Sequence, residues 1–222
     1  MSSLLKSREL RVQIQNVVVT GDLHQNLDLH SVLNASIGAE YNPQRFPGLI
    51  YRLKMPKTST LLFSTGKMVC TGARSERSAR TAIRRIVNEL KAHGIVIVRN
   101  PEVSIQNIVA TGDLNCTLDL EDVAERLTRT IYEPEQFPGL IYRLDAPKTV
   151  FLIFASGKLV ITGAKREVEV GLAVGKLQET LKNNGLISHD KSSNKESGDP
   201  AAPMIGTLSP EPAELPVTIA MV

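Results

Sequence analysis

The chain has 222 residues, of which 42% are hydrophobic and 22% charged, and its formal net charge is +3. This is enough apolar chain to bury a core as one or two domains. No apolar run approaches the roughly 18 residues of a membrane span, and the first ten residues, MSSLLKSREL, lack the apolar stretch of a secretory signal, so we expect a soluble, intracellular protein.

Charge is unevenly distributed along the chain. Residues 1–98 carry 14 basic and 6 acidic side chains, whereas residues 99–187 carry 10 basic and 12 acidic ones. Residues 188–222 add two lysines and five acidic residues. The basic part favours a polyanionic or acidic partner, and the slightly acidic part favours a second, different partner.

The first predicted strand and helix are followed later by copies of themselves. Residues 12–19 are rich in β-branched side chains and predict a strand. Asp28 and Ser31 are candidate caps for a helix over residues 29–38. Helical spacing predicts the counterpart of this helix at Leu120–Ile131.

A stretch of 25 residues occurs twice and organises the chain. Pro43–Lys67 and Pro134–Lys158 agree at 16 of 25 positions, with a constant offset of 91 residues. The same offset relates the shorter matches QN, TGDL, LDL and TGA outside the stretch. A unit of about 90 residues exceeds the roughly 20 to 50 residues of a solenoid repeat. We therefore expect two repeats, residues 1–98 and 99–187, related by a pseudo-twofold axis.

Each repeat continues with strands and a long helix. Turn residues separate three predicted strands, Leu49–Lys54, Thr60–Ser64 and Met68–Thr71. Amphipathic spacing then predicts a helix over Ser75–His93, with Gly94 as its stop, and a matching helix over Glu167–Asn183. The order β-α-β-β-β-β-α in each repeat predicts an α+β fold with an antiparallel sheet covered by helices on one face. Residues 188–222 contain five of the 12 prolines and predict a disordered tail.

The face of the sheet without helices is predicted to be apolar. Because side chains alternate along a strand, Leu61 and Phe63 share one face and Leu62 takes the other. In the second repeat Leu152 and Phe154 share a face opposite Phe151 and Ile153. Both faces are therefore apolar, and an exposed apolar face usually marks a binding site.

Phenylalanine and polar residues on this face recur in both repeats. Phe46 and Phe63 match Phe137 and Phe154, whereas Phe151 faces Thr60 in the alignment and is predicted to be core. The four matched rings are either core residues or binding residues. The centre of the face is small and neutral: Asn16, Val18, Val69 and Thr71, with Asn107, Val109, Val160 and Thr162. Around it lie paired cations: Arg52, Lys67 and Arg74, with Arg143, Lys158 and Lys165. A neutral centre with a cationic rim suits the minor groove of DNA, where phosphates meet the rim.

These motifs resemble the TATA-box-binding protein family, and the short amino terminus resembles its archaeal members. The resemblance covers about residues 10–187 and rests on QNVVVT/QNIVAT, FPGLIYR, PKT, LLF/LIF, SGK and TGA followed by Arg or Lys. It implies a saddle with a ten-stranded concave sheet that binds an A·T-rich promoter element and recruits transcription factor B and RNA polymerase. It also implies a cytoplasmic protein at the archaeal nucleoid, or a nuclear one in a eukaryote.

The resemblance implies roles for individual residues. Members of this family are the standard example of side-chain wedges that kink DNA from the minor groove. Here the wedges would be Phe46 with Phe63 and Phe137 with Phe154. Asn16 and Asn107, helped by Thr71 and Thr162, would bind acceptors at the central base steps. Glu133 and Glu135 match positions that contact transcription factor B, while Gln136 stands where many members have leucine.

Other classes of function find little support in the sequence. The segment before Lys67 lacks the glycine spacing of a phosphate loop, and the four histidines lack metal-ligand spacing. Cys70 and Cys116 fall at non-equivalent positions of the repeats, which favours buried thiols over a disulfide or a repeated metal site. We therefore expect no cofactor, no metal and no enzymatic activity. The alternatives are a related regulator or accessory nucleic-acid-binding module that acts through protein contacts, and a homodimer that covers the apolar face without DNA.

Overall fold

The computed structural model describes residues 11–36 and 38–187, which form one ten-stranded antiparallel sheet and four helices. The predicted tail, residues 188–222, lies outside the described residues. The first repeat contains β1 (Arg11–Asp22), α1 (Leu29–Asn34), β2 (Ala39–Glu40), β3 (Leu49–Lys54), β4 (Lys57–Leu62), β5 (Lys67–Ala73) and α2 (Glu76–Ala92). The second contains β6 (Glu102–Asp113), α3 (Leu120–Arg126), β7 (Thr130–Ile131), β8 (Leu140–Leu144), β9 (Thr149–Ile153), β10 (Lys158–Ala164) and α4 (Glu167–Asn183).

The two repeats share a single sheet. Its strand order is β2-β3-β4-β5-β1-β6-β10-β9-β8-β7, so the second repeat continues the first in mirrored order. The long strands β1 and β6 pair antiparallel from Arg11 opposite Asp113 to Asp22 opposite Glu102. The pseudo-twofold axis therefore passes between these central strands. The predicted α+β saddle, with a concave sheet and helices on the convex side, is confirmed.

The core lies between the convex face of the sheet and the long helices. Alternate strand residues such as Leu62, Met68 and Phe151 are fully buried there. The apolar stripe of α2, which includes Ile83 and Ile86, is buried as its spacing predicted. Ser75 caps this helix, since its hydroxyl accepts a hydrogen bond from the N–H of Ser78 at 3.0 Å. α4 begins and ends at the predicted residues.

The long helices meet near the pseudo-twofold axis at their amino termini. The backbone N–H of Glu76 donates to the carboxylate of Glu167 at 2.6 Å, and the N–H of Glu167 donates to that of Glu76 at the same distance. A carboxylate at a helix amino terminus is stabilised by the unpaired N–H groups and the helix dipole. This reciprocal capping joins the two repeats on the convex side, opposite the β1–β6 pair.

The short helices end earlier than predicted. α1 stops at Asn34 and α3 stops at Arg126, because the chain must turn into the edge strands β2 and β7. After α3, Leu127 is extended and Arg129 has a φ of 66°, which brings Ile131 opposite Ile141 of β8. The prediction that Ile131 continues the apolar face of this helix was wrong: its side chain is 47% exposed.

Strand β4 of the first repeat also begins earlier than the predicted Thr60. β4 starts at Lys57, which pairs with Lys54, so the turn between β3 and β4 contains only Met55 and Pro56. Residues Lys57 and Thr58, which were predicted as part of the turn, extend the ladder.

In the described part of the chain no helix is long and apolar enough to cross a membrane.

Candidate nucleic-acid interface

Apolar side chains cover the concave face of the sheet, as strand alternation predicted. Leu61 is partly exposed while its neighbour Leu62 is fully buried, and Leu152 is partly exposed while Phe151 is fully buried. The valines of the predicted central set, Val18, Val69, Val109 and Val160, are all partly exposed. The concave face is therefore an apolar surface that the rest of the described chain leaves uncovered.

One pair of phenylalanines lies at each end of this face. The ring centroids of Phe46 and Phe63 are 6.0 Å apart with an interplanar angle of 63°. Those of Phe137 and Phe154 are 5.9 Å apart at 64°. These are edge-to-face contacts, the arrangement that ring quadrupoles favour. The outer rings remain open to solvent, with Phe46 at 39% and Phe137 at 38% exposure.

The glycine of each FPG motif makes room for its phenylalanine pair. A Cβ atom on Gly48 would lie 2.6 Å from Cε1 of Phe46 and 3.1 Å from Cε1 of Phe63. A Cβ atom on Gly139 would lie at the same distances from the rings of Phe137 and Phe154. The rings therefore pack directly on the backbone, which holds them against the edge of the concave face.

A hydrogen-bonded cluster orients the first central asparagine. Oδ1 of Asn16 accepts from the backbone N–H of Gly72 at 2.7 Å, and its Nδ2 lies 3.0 Å from the hydroxyl of Thr71. Because a backbone N–H can only donate, the atom of Asn16 that faces Gly72 must be the oxygen. The amide nitrogen therefore keeps donor capacity toward the concave face.

The second central asparagine is held in the same way. Oδ1 of Asn107 accepts from the N–H of Gly163 at 2.8 Å, and its Nδ2 lies 3.0 Å from the hydroxyl of Thr162. In both repeats the Thr–Gly pair forms a bulge at which the strand register shifts, and Gly72 and Gly163 have φ angles of 94° and 98°. A side chain at these positive φ angles would be strained, which explains the glycine of the repeated TGA motif.

Two glutamines on the concave face were not singled out from the sequence. Nε2 of Gln15 donates to Oγ1 of Thr111 at 2.8 Å, and Nε2 of Gln106 donates to Oγ1 of Thr20 at 2.8 Å. Each bond crosses the boundary between the repeats. The repetition of Gln before Asn was visible in the sequence, but a strand alternation would place these neighbours on opposite faces. The bulge between Ile14 and Asn16 places both on one face.

All six predicted rim cations are exposed: Arg52, Lys67, Arg74, Arg143, Lys158 and Lys165. Arg52 lies 3.4 Å from a carboxylate oxygen of Glu40 and 3.4 Å from the hydroxyl of Ser59. An exposed ion pair of this kind contributes little to stability, so it leaves the guanidinium available for a phosphate.

The loop before each phenylalanine pair is a turn, and the two loops differ in charge. In the second repeat the N–H groups of Gln136 and Phe137 donate to the carbonyl of Glu133 at 3.0 and 2.9 Å, and Glu133, Glu135 and Gln136 are all exposed. The matching residues of the first repeat are Asn42, Gln44 and Arg45. The loops therefore share a backbone and present different chemistry to a partner.

The long helix α2 carries an exposed basic stripe. Arg77, Arg80, Arg84 and Arg85 all face solvent on the convex side. Arg80 donates to the carbonyl of Val103 at 3.1 Å, and Arg85 donates to that of Met55 at 2.7 Å. Two of the four arginines thus also tie the helix to neighbouring strands and turns.

Among the described residues, no cluster of three or more His, Cys, Asp or Glu side chains could hold a metal ion.

Known proteins are similar to this chain over both repeats. The family described as "Transcription factor TFIID (or TATA-binding protein, TBP)" matches residues 11–93 and 102–184, one block for each repeat. A TATA-box-binding protein of Pyrodictium occultum is 55% identical over 169 residues, which is 76% of this chain and 85% of that protein. One from Pyrobaculum aerophilum is 50% identical over 183 residues, covering 82% of this chain and 92% of the relative.

A solved structure agrees with these sequence matches. The structure of Methanococcus jannaschii TBP superimposes with a TM-score of 0.71 at 50% sequence identity and covers 78% of this chain and 99% of that one. Family, relatives and fold coincide over both repeats. The chain therefore belongs to the TATA-box-binding protein family of transcription factors.

Proposed function

We propose that the concave face binds an A·T-rich promoter element from the minor groove and bends it, so that transcription can start there. The observation that carries this proposal is the twofold repetition of two different features on one apolar face: an edge-to-face phenylalanine pair at each end and an oriented asparagine near the centre. A core would not need partly exposed rings at symmetric positions.

The phenylalanine pairs act as wedges in this proposal. An apolar ring that enters between two base pairs replaces part of the stacking that is lost, and the kink lets the DNA follow a curved protein surface. Phe46 and Phe137, the more exposed members of each pair, lie at the rim, and Phe63 and Phe154 support them from the sheet. Their positions at both ends of the face would produce two kinks that flank the contacted element.

The asparagines select the base composition of the centre. Their Oδ1 atoms accept from Gly72 and Gly163, which leaves N–H donors for the groove. In the minor groove an A·T pair offers only acceptors, whereas a G·C pair adds the N2 amino donor of guanine. A donor on Asn16 or Asn107 therefore fits A·T pairs and opposes the amino group of guanine. The surrounding valines would make apolar contacts with the sugars and base edges of the groove.

Protein partners would bind outside the concave face. The acidic loop with Glu133, Glu135 and Gln136 is the proposed site for transcription factor B, through which RNA polymerase is recruited. The same loop in the first repeat lacks these charges and carries Arg45. The basic stripe on α2 is the proposed site for an acidic regulator or for flanking DNA. Without DNA, a homodimer could cover the apolar concave face.

A gel-shift titration tests the proposal. The full chain is mixed with an A·T-rich duplex and with a G·C-rich duplex of equal length, each with and without transcription factor B. We expect tight binding to the A·T-rich duplex and not to the G·C-rich one. Adding transcription factor B should retard the A·T-rich complex further. Equal binding to both duplexes would contradict minor-groove selection. Failure of the ternary complex on bound DNA would contradict only the partner assignment.

A further inference from the structure

Two rows of charged residues cross the concave face, one at each end of the central strands. Each row contains three residues opposite one another on neighbouring strands: Arg11, Asp113 and Lys158 form the Arg11 row, and Glu102, Asp22 and Lys67 form the Glu102 row. The repeat offset of 91 residues relates the two rows. It equates the aspartates with each other and the lysines with each other. The rows differ at one position, where Arg11 matches Glu102.

This single difference gives the two rows opposite charge. Arg11 and Glu102 are both exposed. By formal charges the Arg11 row is net positive and the Glu102 row is net negative. Nε2 of His24 lies 3.3 Å from a carboxylate oxygen of Glu102, at the outer end of that row. The concave face is therefore nearly symmetric in shape, but its two charged rows have opposite net charge.

Each row lies beside one phenylalanine pair. The N–H of Phe154 donates to the carbonyl of Lys158 at 3.0 Å, and that of Phe63 donates to the carbonyl of Lys67 at 2.9 Å. Arg11, Phe154 and Lys158 also line one open cleft of about 660 Å³. The Arg11 row therefore accompanies the second-repeat wedge, and the Glu102 row accompanies the first-repeat wedge.

The rows lie where the sugar–phosphate backbone would run. β1 contains 12 residues, and at about 3.3 Å per residue such a strand spans roughly 40 Å. The minor groove is only about 6 Å wide before it is opened. The ends of the central strands therefore extend past the groove toward the phosphates. Because each row also lies beside the phenylalanine pair at one end of the contacted element, its charges face the phosphates of that flank.

We propose that Arg11 and Glu102 set the direction in which the saddle lies on an A·T-rich duplex. This inference rests on the DNA-binding function proposed above. A run of adenines has a narrow minor groove with an enhanced negative potential that attracts arginine. The end with Arg11 therefore takes the more negative flank of the element, and Glu102 is repelled from it.

The test uses a duplex whose centre is a self-complementary run of alternating T and A. One flank is an A-tract and the other is G·C-rich, so only the flanks distinguish the two orientations. A donor dye is attached to the variant Glu179→Cys, whose position is exposed on α4, in a background with Cys116→Ser. An acceptor dye marks the A-tract end of the DNA. Single-molecule energy transfer then counts the two orientations. A fully palindromic duplex, which must give equal numbers, calibrates the two signals.

An exposed ion pair changes an equilibrium constant by a factor of roughly 1.4 to 5. We therefore expect the native chain to place the Arg11 end at the A-tract about 1.4 to 5 times as often as the reverse. The double variant Arg11→Glu with Glu102→Arg should invert the ratio, and Arg11→Gln alone should lower it. A ratio of one in the native chain, or a ratio that the charge exchange leaves unchanged, would overturn the inference. If the double variant does not fold, the ratio for Arg11→Gln decides. Failure of the native chain to bind the duplex would instead count against the proposed function.

Discussion

Replacing Phe151 or Phe154 with alanine tests whether the two faces of one segment have different roles. Phe151 is fully buried on the convex side, and its ring centroid lies 6.2 Å from that of Tyr142. Removing a fully buried phenylalanine side chain costs about 3 to 5 kcal/mol. For a domain of this size each kcal/mol lowers Tm by about 2 to 4 °C, so Phe151→Ala should lower Tm by roughly 6 to 20 °C.

Phe154→Ala should behave in the opposite way. Phe154 is partly exposed, and its edge-to-face contact with Phe137 is worth only about 0.5 to 1.5 kcal/mol beyond the buried area. We therefore expect a small loss of stability. Its affinity for A·T-rich DNA should fall, because the ring no longer offsets the cost of unstacking.

Urea unfolding and a gel-shift titration on both variants give the comparison. At a temperature where both are folded, Phe151→Ala should bind DNA nearly as the native chain does, and Phe154→Ala should bind more weakly. Equal losses of stability in the two variants would refute the assignment of opposite faces. So would unchanged DNA affinity in Phe154→Ala.

Three further predictions concern charge. Arg143→Ala should make the log–log dependence of DNA affinity on salt shallower by about 1. On a duplex without flanking DNA, Arg84→Ala on the convex helix should leave the slope unchanged. Equal slopes for the native chain and Arg143→Ala would remove Arg143 from the phosphate contacts. Charge reversal at Glu133 and Glu135 should abolish the complex with transcription factor B and spare binary DNA binding, and reversal at Arg77 and Arg80 should spare both. Loss of the ternary complex in the arginine variant alone would show that the two ends are assigned the wrong way round. Burial, together with the hydrogen bond to Glu89, raises the pKa of Tyr51 from its ordinary value of 10.0 to about 12. The neutral phenol is favoured in the folded state, so its contribution to stability is present below about pH 10 and is lost as the pH rises toward 12. The free energy of unfolding, measured by denaturation between about pH 10 and 12, should fall less steeply with pH in Tyr51→Phe than in the native chain. The same slope in both would contradict the pKa shift.

Most of the fold could be predicted from the sequence because each pattern of residues occurs twice, once in each repeat. The alternation in LLF and LIF placed Leu62 and Phe151 in the core, and the spacing of α2 predicted its buried stripe. Helix ends were harder, because they depend on pairing between distant residues. Ile131 fits a helical pattern, yet in the structure it pairs with Ile141 at the edge of the sheet.

The sequence allowed candidate site residues to be named, but it did not give their geometry. The matched pairs of Phe and Asn could be read from the repeat. The role of Gly72 in fixing the oxygen of Asn16 could not, because it depends on a bulge between β1 and β5. The placement of Gln15 beside Asn16 on one face also contradicts simple alternation, since it depends on a bulge between β1 and β6. The two charged rows are formed by β1 and β6 with their outer neighbours, and sequence spacing alone does not show the register that aligns them.

Bending of DNA is the most direct test of the central claim that paired phenylalanines act as wedges on an apolar concave face. Dyes at the two ends of an A·T-rich duplex report its end-to-end distance when the full chain binds. The native chain should shorten this distance sharply. The double variant Phe137→Ala with Phe154→Ala should bind more weakly and, at saturating protein, leave the DNA markedly straighter. The same shortening by the native chain and the double variant would contradict the wedge mechanism.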